Sequence, residues 1–251
     1  MKIVRYEYGG AISYGVLRGD RIYPVTGDIF GVYSIAEEAV PLEGAELLVP
    51  CEPTKIVAVG LNYSEHAAEM KENCQREAPV LFFKPVTALL APGKTIIRPK
   101  QSKRVDYEAE LAVVIGKKAK DVPLSEANQY IFGYTCLNDV TARDLQKQDG
   151  QWTRAKGFDT FAPMGPVIET ELDPSALTVS LQLNGTVKQL DNTKNMLFSP
   201  AELVSFVSGI MTLLPGDVIS TGTPAGIGPM ESGDVVSLTI DGIGTLVNSV
   251  K

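Results

Sequence analysis

The chain has 251 residues, 44% of them hydrophobic, which suffices for one large domain or a small and a large one with a real core. Thirty acidic against 23 basic residues give a formal charge of −7, which argues against a nucleic-acid partner. No apolar run approaches the ~20 residues of a membrane span, and Met1-Lys2-Ile3-Val4-Arg5-Tyr6 lacks the apolar stretch of a signal peptide, so a cytoplasmic protein is expected.

Residues 1–50 alternate short apolar stretches with turns at Gly9-Gly10, Gly19-Asp20 and Thr26-Gly27-Asp28, and read as a small β-rich domain. Pro50-Cys51-Glu52-Pro53 punctuates the chain. A second domain, 51–251, then opens with a buried strand at Lys55-Ile56-Val57-Ala58-Val59. Residues 64–75 contain Ala67, Ala68 and Met70 and no Gly or Pro, which permits a helix. Tyr107-Glu108-Ala109-Glu110-Leu111-Ala112-Val113-Val114-Ile115 is a β-branched, apolar run ended by Gly116-Lys117-Lys118, and reads as one buried strand. Pro123-Leu124-Ser125-Glu126 opens a short helix, and residues 131–136 form a further strand.

Asn184-Gly185 between Leu181-Gln182-Leu183 and Val187-Lys188-Gln189 is the strongest short hairpin signal, and Asp241-Gly242 gives a second. Ser199 as N-cap, Pro200 at the first helical position and Glu202 three residues on make a capping box. Leu203, Phe206, Val207 and Ile210 follow at helical spacing, with Pro215-Gly216 as the stop. Residues 217–220 are again a strand. Many strands, close hairpins and few helices predict a mainly β fold with short helices, of the α+β class, rather than a βαβ architecture.

The chemistry concentrates in few residues. The three cysteines, Cys51, Cys74 and Cys136, form no pair, and the single histidine, His66, excludes a multi-histidine zinc site. Residues i and i+2 share a face of a strand, so Glu108 and Glu110 point the same way, with Cα atoms roughly 6.6 Å apart. Two carboxylates on a buried strand are costly unless a positive group lies between them, and a hard divalent cation is the simplest one. The alternative is a solvated strand end with both glutamates in water. Asp139, just past the strand at 131–136, adds a third carboxylate, or else caps the turn before Thr141-Ala142-Arg143. His66 and Glu69 stand at i and i+3, an orientation that suits a general base or a plain surface pair.

These segments, in order, resemble the fumarylacetoacetate hydrolase superfamily. The resemblance rests on Gly60-Leu61-Asn62-Tyr63-Ser64-Glu65-His66-Ala67-Ala68-Glu69-Met70, the run from Tyr107 to Lys117, and Asn138-Asp139-Val140-Thr141-Ala142-Arg143-Asp144-Leu145-Gln146. It rests equally on Lys156-Gly157-Phe158-Asp159-Thr160-Phe161-Ala162-Pro163-Met164-Gly165-Pro166 and on Thr221-Gly222-Thr223-Pro224-Ala225-Gly226-Ile227-Gly228. It covers about residues 53–251 and implies a mixed β-roll and a homodimer. It further implies Mg²⁺ or Mn²⁺ held by Glu108, Glu110 and Asp139. His66 and Glu69 would activate a water, Lys156 would steady developing enolate charge, and Arg143, Gln146 and Thr223 would contact substrate. Lys156 could otherwise be a surface lysine, and Arg143 could pair with Asp144 or Asp139 as support.

The larger namesake enzymes carry a fourth carboxylate ligand shortly before the histidine. Residues 56–62 hold none. That favours the smaller acylpyruvate hydrolase, oxaloacetate decarboxylase and isomerase members, the last acting on unsaturated diacids of aromatic catabolism. The polar segment 65–77 is expected to be a lid. The Thr221–Gly228 loop is not a dinucleotide fingerprint, and neither a phosphate loop nor a GxSxG elbow occurs. The rival from another class is a non-catalytic homologue that binds a 2-oxo acid.

Overall fold

The computed structural model describes residues 1–70 and 77–251. The predicted helix beyond residue 70, residues 71–76 of the expected lid, and Cys74 lie outside the described residues. Strands dominate, as the hairpin spacing requires. The helices are α1 (Ser64–Glu69), α2 (Arg143–Asp149), α3 (Thr153–Lys156) and α4 (Pro200–Ile210), with short 3₁₀ turns between strands. Among the described residues, no helix is long and apolar enough to cross a membrane.

A large sheet runs through the molecule. From one edge, its order is Tyr33–Ile35, Arg21–Gly27, Ala11–Arg18, Lys2–Tyr8, Ala162–Glu169, Ile131–Asn138, Ala109–Ile115, Val218–Ser220, Ile56–Gly60 and Val80–Lys84. The N-terminal strands join it at one seam, where Lys2 and Ile3 pair antiparallel with Glu169 and Ile168. A second sheet orders Thr95–Ile96, Gly244–Val250, Val235–Ile240, Thr178–Leu183 and Thr186–Asn192. A third small sheet joins Thr141–Ala142, Val105–Tyr107 and Gly228–Pro229.

Ala109–Ile115 is the centre of the core. All seven residues are buried, and it pairs antiparallel with Ile131–Asn138 on one side and Val218–Ser220 on the other. Its apolar character on both faces follows from that position. The sequence predicts one strand over 107–115. The structure instead has two strands in different sheets, with Glu108 at the break. Side chains replace the ladder there: Asn138 Oδ1 accepts from Glu108 N at 2.9 Å, and Gln189 Oε1 accepts from Ala109 N at 2.9 Å. The buried backbone amides are satisfied without a continuous partner strand.

The capping box at Ser199 forms as its sequence requires, and Leu203, Val204 and Val207 face the core. Phe206 and Ile210 do not; Ile210 is 56% exposed. The helix also ends at Ile210, five residues before Pro215, because Leu213 forms a two-way backbone bridge with Ala119 and so needs an extended chain. The Asn184-Gly185 turn has φ of 52° and 77°, the two left-handed residues a tight hairpin needs. The second hairpin is one residue longer than expected. Ile240 pairs with Gly244, leaving Asp241, Gly242 and Ile243 in the loop. The segment after Pro123 is a 3₁₀ helix, Leu124–Tyr130, and α2 and α3 carry no clear sequence signal.

Candidate metal and active site

The large sheet and three helices supply the polar residues. Glu110 projects from Ala109–Ile115, Asp139 follows Ile131–Asn138, Thr223 follows Val218–Ser220, and Lys84 ends Val80–Lys84. Helix α1 brings His66 and Glu69, α2 brings Arg143 and Gln146, and α3 brings Lys156. All of these but Lys84 and Glu69 line one cleft, together with Glu108, Leu61, Met70, Phe82 and Trp152, enclosing about 430 Å³ with open solvent included.

Glu108, Glu110 and Asp139 each bring a carboxylate oxygen within 4.8 Å of the others. Glu108 is 4% exposed, Glu110 and Asp139 1% each, so the solvated-strand-end alternative does not hold. Protein cations already meet two of the three. Lys156 Nζ donates to Glu108 Oε2 at 2.9 Å and to Asp139 Oδ2 at 2.5 Å. Arg143 Nη2 donates to Glu108 Oε1, and Lys84 Nζ donates to Asp139 Oδ1 at 2.6 Å. Burial opposes the charge on Glu108, but Lys156 and Arg143 outweigh it and hold the carboxyl well below the usual range.

Glu110 is the exception. Its Oε2 accepts from Ser220 Oγ at 2.5 Å and from Gly222 N at 2.9 Å. Among the described residues it has no ion pair, and no hydrogen bond reaches Oε1. Burial, with Asp139 and Glu108 adding like charge, pushes its carboxyl well above the normal value. Three converging hard oxygen donors, one of them lacking a counter-charge, fit a divalent ion such as Mg²⁺ or Mn²⁺. This is the observation on which the metal reading rests. Need for a counter-ion across the whole triad is not, because Lys84, Lys156 and Arg143 already supply three positive charges.

Lys156 is 2% exposed, which excludes the solvated surface lysine. Burial works against its charge, yet Asp139 and Glu108 raise its pKa, so the ammonium is retained. Arg143 pairs with neither Asp144 nor Asp139. Its Nε donates to Asp106 Oδ2 at 2.9 Å and its Nη1 to Gln146 Oε1 at 2.7 Å. Asp144 instead accepts from Ser102 Oγ and Lys103 N. Thr223 lines the cleft, and its hydroxyl accepts from Gln189 Nε2 at 2.8 Å. His66 Nδ1 lies 3.0 Å from Glu69 Oε2, and Glu69 Oε1 accepts from Gly226 N at 3.2 Å. With the proton on Nδ1, toward Glu69, Nε2 is free to accept one.

Three residues of this arrangement have no sequence signal. Lys84 reads as the polar end of a strand, yet it is fully buried and also donates to Lys156 O at 2.8 Å. Burial pushes its ammonium pKa down, against the pull of Asp139. Asp106 is wholly buried between Arg104 and Arg143. Gln189 comes from the second sheet, and only its distance from Ala109 in sequence hides its role.

Residues 55–251 match the family described as fumarylacetoacetate (FAA) hydrolase C-terminal, and residues 1–50 match the family described as Rv2993c-like, N-terminal. The chain belongs to the fumarylacetoacetate hydrolase family. Its fold is shared with a 5-carboxymethyl-2-hydroxymuconate delta-isomerase of Mycobacterium smegmatis. That protein is 44% identical, with a TM-score of 0.94 over 100% of this chain and 99% of the other. A maleylpyruvate hydrolase of Sphingobium sp. SYK-6, solved with manganese(II) and pyruvate, is 30% identical, with a TM-score of 0.83 over 100% and 98%. A mitochondrial oxaloacetate tautomerase of Rattus norvegicus is 39% identical over 223 residues, 84% of this chain and 71% of that protein. Family members are thus hydrolases, isomerases and tautomerases, and this chain is similar to all three.

Proposed function

We propose that this protein is a divalent-metal-dependent hydrolase that cleaves a C–C bond in acylpyruvate-type 2-oxo acids. The observation that carries the reading is the convergence of three roles on one cleft: the Glu108–Glu110–Asp139 donor set, the buried ammonium of Lys156, and the His66–Glu69 pair. Bound Mg²⁺ or Mn²⁺ would supply Lewis acidity to the substrate's carboxylate and 2-oxo oxygens.

The protein's own groups do the rest. Glu69 holds the His66 proton on Nδ1, so Nε2 takes a proton from water as its oxygen attacks the distal carbonyl carbon. The bond between C3 and that carbon then breaks, with its electron pair passing to C3. Lys156 faces the resulting enolate charge, and the His66 proton returns to C3, giving pyruvate and a carboxylic acid. Arg143, Gln146 and Thr223 orient the acid. A homodimer is part of the proposal, read in solution as twice 27.0 kDa by light scattering.

Similarity favours a second reading. The rat tautomerase and the mycobacterial isomerase are closer in sequence than the Sphingobium hydrolase. Proton transfer between C3 and oxygen uses the same enolate and the same His66, without an attacking water. Oxaloacetate decarboxylation is a third outcome of the same site. The test is turnover of acetylpyruvate and oxaloacetate by purified protein with Mg²⁺, with Mn²⁺ and with chelator. Metal-dependent acetate release supports the hydrolase. Faster enol–keto exchange of oxaloacetate without acetate release assigns the tautomerase, and loss of oxaloacetate to pyruvate assigns the decarboxylase. Silence on both substrates overturns the proposal.

A further inference from the structure

The cleft has a polar and an apolar lining. Beside the carboxylates and cations it is lined by Gly60, Leu61, Met70, Phe82 and Trp152. Trp152 and Phe82 pack edge to face, with ring centroids 5.1 Å apart, and Lys156 Nζ lies 5.0 Å from the Phe82 centroid. The Trp152 indole lies directly over the end of strand Ile56–Gly60. A Cβ at Gly60 would come within 2.7 and 2.9 Å of its ring carbons. Trp152 is also fixed from behind, because its carbonyl accepts from Lys156 N at 2.9 Å. One residue therefore ties the apolar wall to the helix that carries the ammonium.

We infer that Trp152 and Phe82, seated over Gly60, form the specificity surface for the substrate beyond C3, and that they select an uncharged, apolar acyl group. The inference rests on the proposed function, since it places the 2-oxo acid head at the carboxylates. From there, the tail reaches the aromatic wall. Among the described residues, the cation that touches this wall is Lys156, over Phe82, and it is already paired with Glu108 and Asp139, so a second carboxylate would lie against apolar carbon without a free counter-charge. An alkyl or aryl tail would instead exclude water from the rings and gain their dispersion contacts.

Binding isolates the wall from the chemistry. The full-length protein in Mn²⁺ buffer is titrated calorimetrically with oxalate, pyruvate, 2-oxopentanoate, 2-oxohexanoate and 2-oxoglutarate. The expected result is a Kd that falls by up to roughly fourfold per added methylene, with 2-oxoglutarate weaker than 2-oxohexanoate. Trp152→Ala is expected to flatten the methylene series while oxalate binds within twofold of the parent value. Trp152→Phe, which keeps an aromatic ring against Phe82, is expected to retain part of the series and guards against a folding defect. Equal affinities along the series, tighter binding of 2-oxoglutarate than of 2-oxohexanoate, or equal loss of oxalate and 2-oxohexanoate in Trp152→Ala would each overturn the inference. Failure of the parent protein to bind even oxalate would remove the functional reading, and the role of the wall with it.

Discussion

Replacing Lys84 by methionine tests whether the buried carboxylate cluster is held as its geometry implies. The Lys84 side chain is wholly buried, and its three N–H groups go to Asp139 Oδ1 at 2.6 Å, Lys156 O at 2.8 Å and Val140 O at 3.3 Å. Breaking a buried ion pair by removing one partner costs about 3–5 kcal/mol. Two features place this substitution at the lower end of that range. Asp139 keeps Lys156 on its other oxygen, and the buried ammonium carries its own desolvation penalty, which disappears with it. About 3 kcal/mol is expected, and at ~2–4 °C per kcal/mol for a chain of this size the Tm should fall by about 6–12 °C. Calorimetry and urea denaturation, each in chelator and in excess Mn²⁺, separate this loss from any contribution of bound metal. A Tm within about 2 °C of the parent, with an unchanged urea midpoint, would refute the reasoning and make Lys84 dispensable.

Further outcomes follow from named contacts. Glu108→Ala should abolish both Mn²⁺ binding and turnover, whereas His66→Ala should bind Mn²⁺ within about threefold of the parent and lose at least ~100-fold in hydrolysis; electron paramagnetic resonance of the Mn²⁺ titration distinguishes the two. Gly226→Ala should destabilise by at least about 1–3 kcal/mol, because residue 226 has φ of +98° and a Cβ there would meet Lys188 O at 2.3 Å. Its amide would shift away from Glu69, so turnover should fall with metal affinity unchanged. Burial works to raise the Asp144 pKa, but hydrogen bonds from Ser102, Lys103 N and Leu145 N lower it below its ordinary 3.8. A depressed carboxyl contributes stability above its unfolded pKa and loses it as the pH falls through the folded value. The difference in urea midpoint between parent and Asp144→Asn should therefore be constant near neutral pH and shrink below about pH 4; a difference that does not change with pH would contradict this.

What could be read in advance was local. The Ser199 capping box and the Asn184-Gly185 turn are set by residues within a few positions of one another, and both form. The apolar run ending at Ile115 marks a strand buried on both faces, which any sheet position satisfying it would confirm. The break at Glu108 was not legible, because it depends on side chains of Asn138 and Gln189, 30 and 80 residues away. The same holds for Lys84, whose partner Asp139 lies 55 residues on. Arg143 was a candidate from its motif, but its counter-ions were misjudged: the nearest acids in sequence, Asp139 and Asp144, face other donors, while Asp106 and Glu108 reach it across the small third sheet. Charge compensation in a core is a property of the closed fold. Sequence proximity is a poor guide to it.

The seam between Lys2–Tyr8 and Ala162–Glu169 has a consequence for solubility. Ala162–Glu169 lies between Ile131–Asn138 and the N-terminal strands, and Val167 and Ile168 are almost completely covered. A chain shortened to begin at residue 51 would keep every side chain of the candidate site, yet it would unpair that strand at Ile168 and Glu169, where Ile3 and Lys2 now sit, and bare the apolar carbon beside them. Open edges of this kind recruit strands from other molecules. The first fifty residues thus act as a guard on the sheet, and a preparation lacking them should lose protein to aggregation before it loses chemistry.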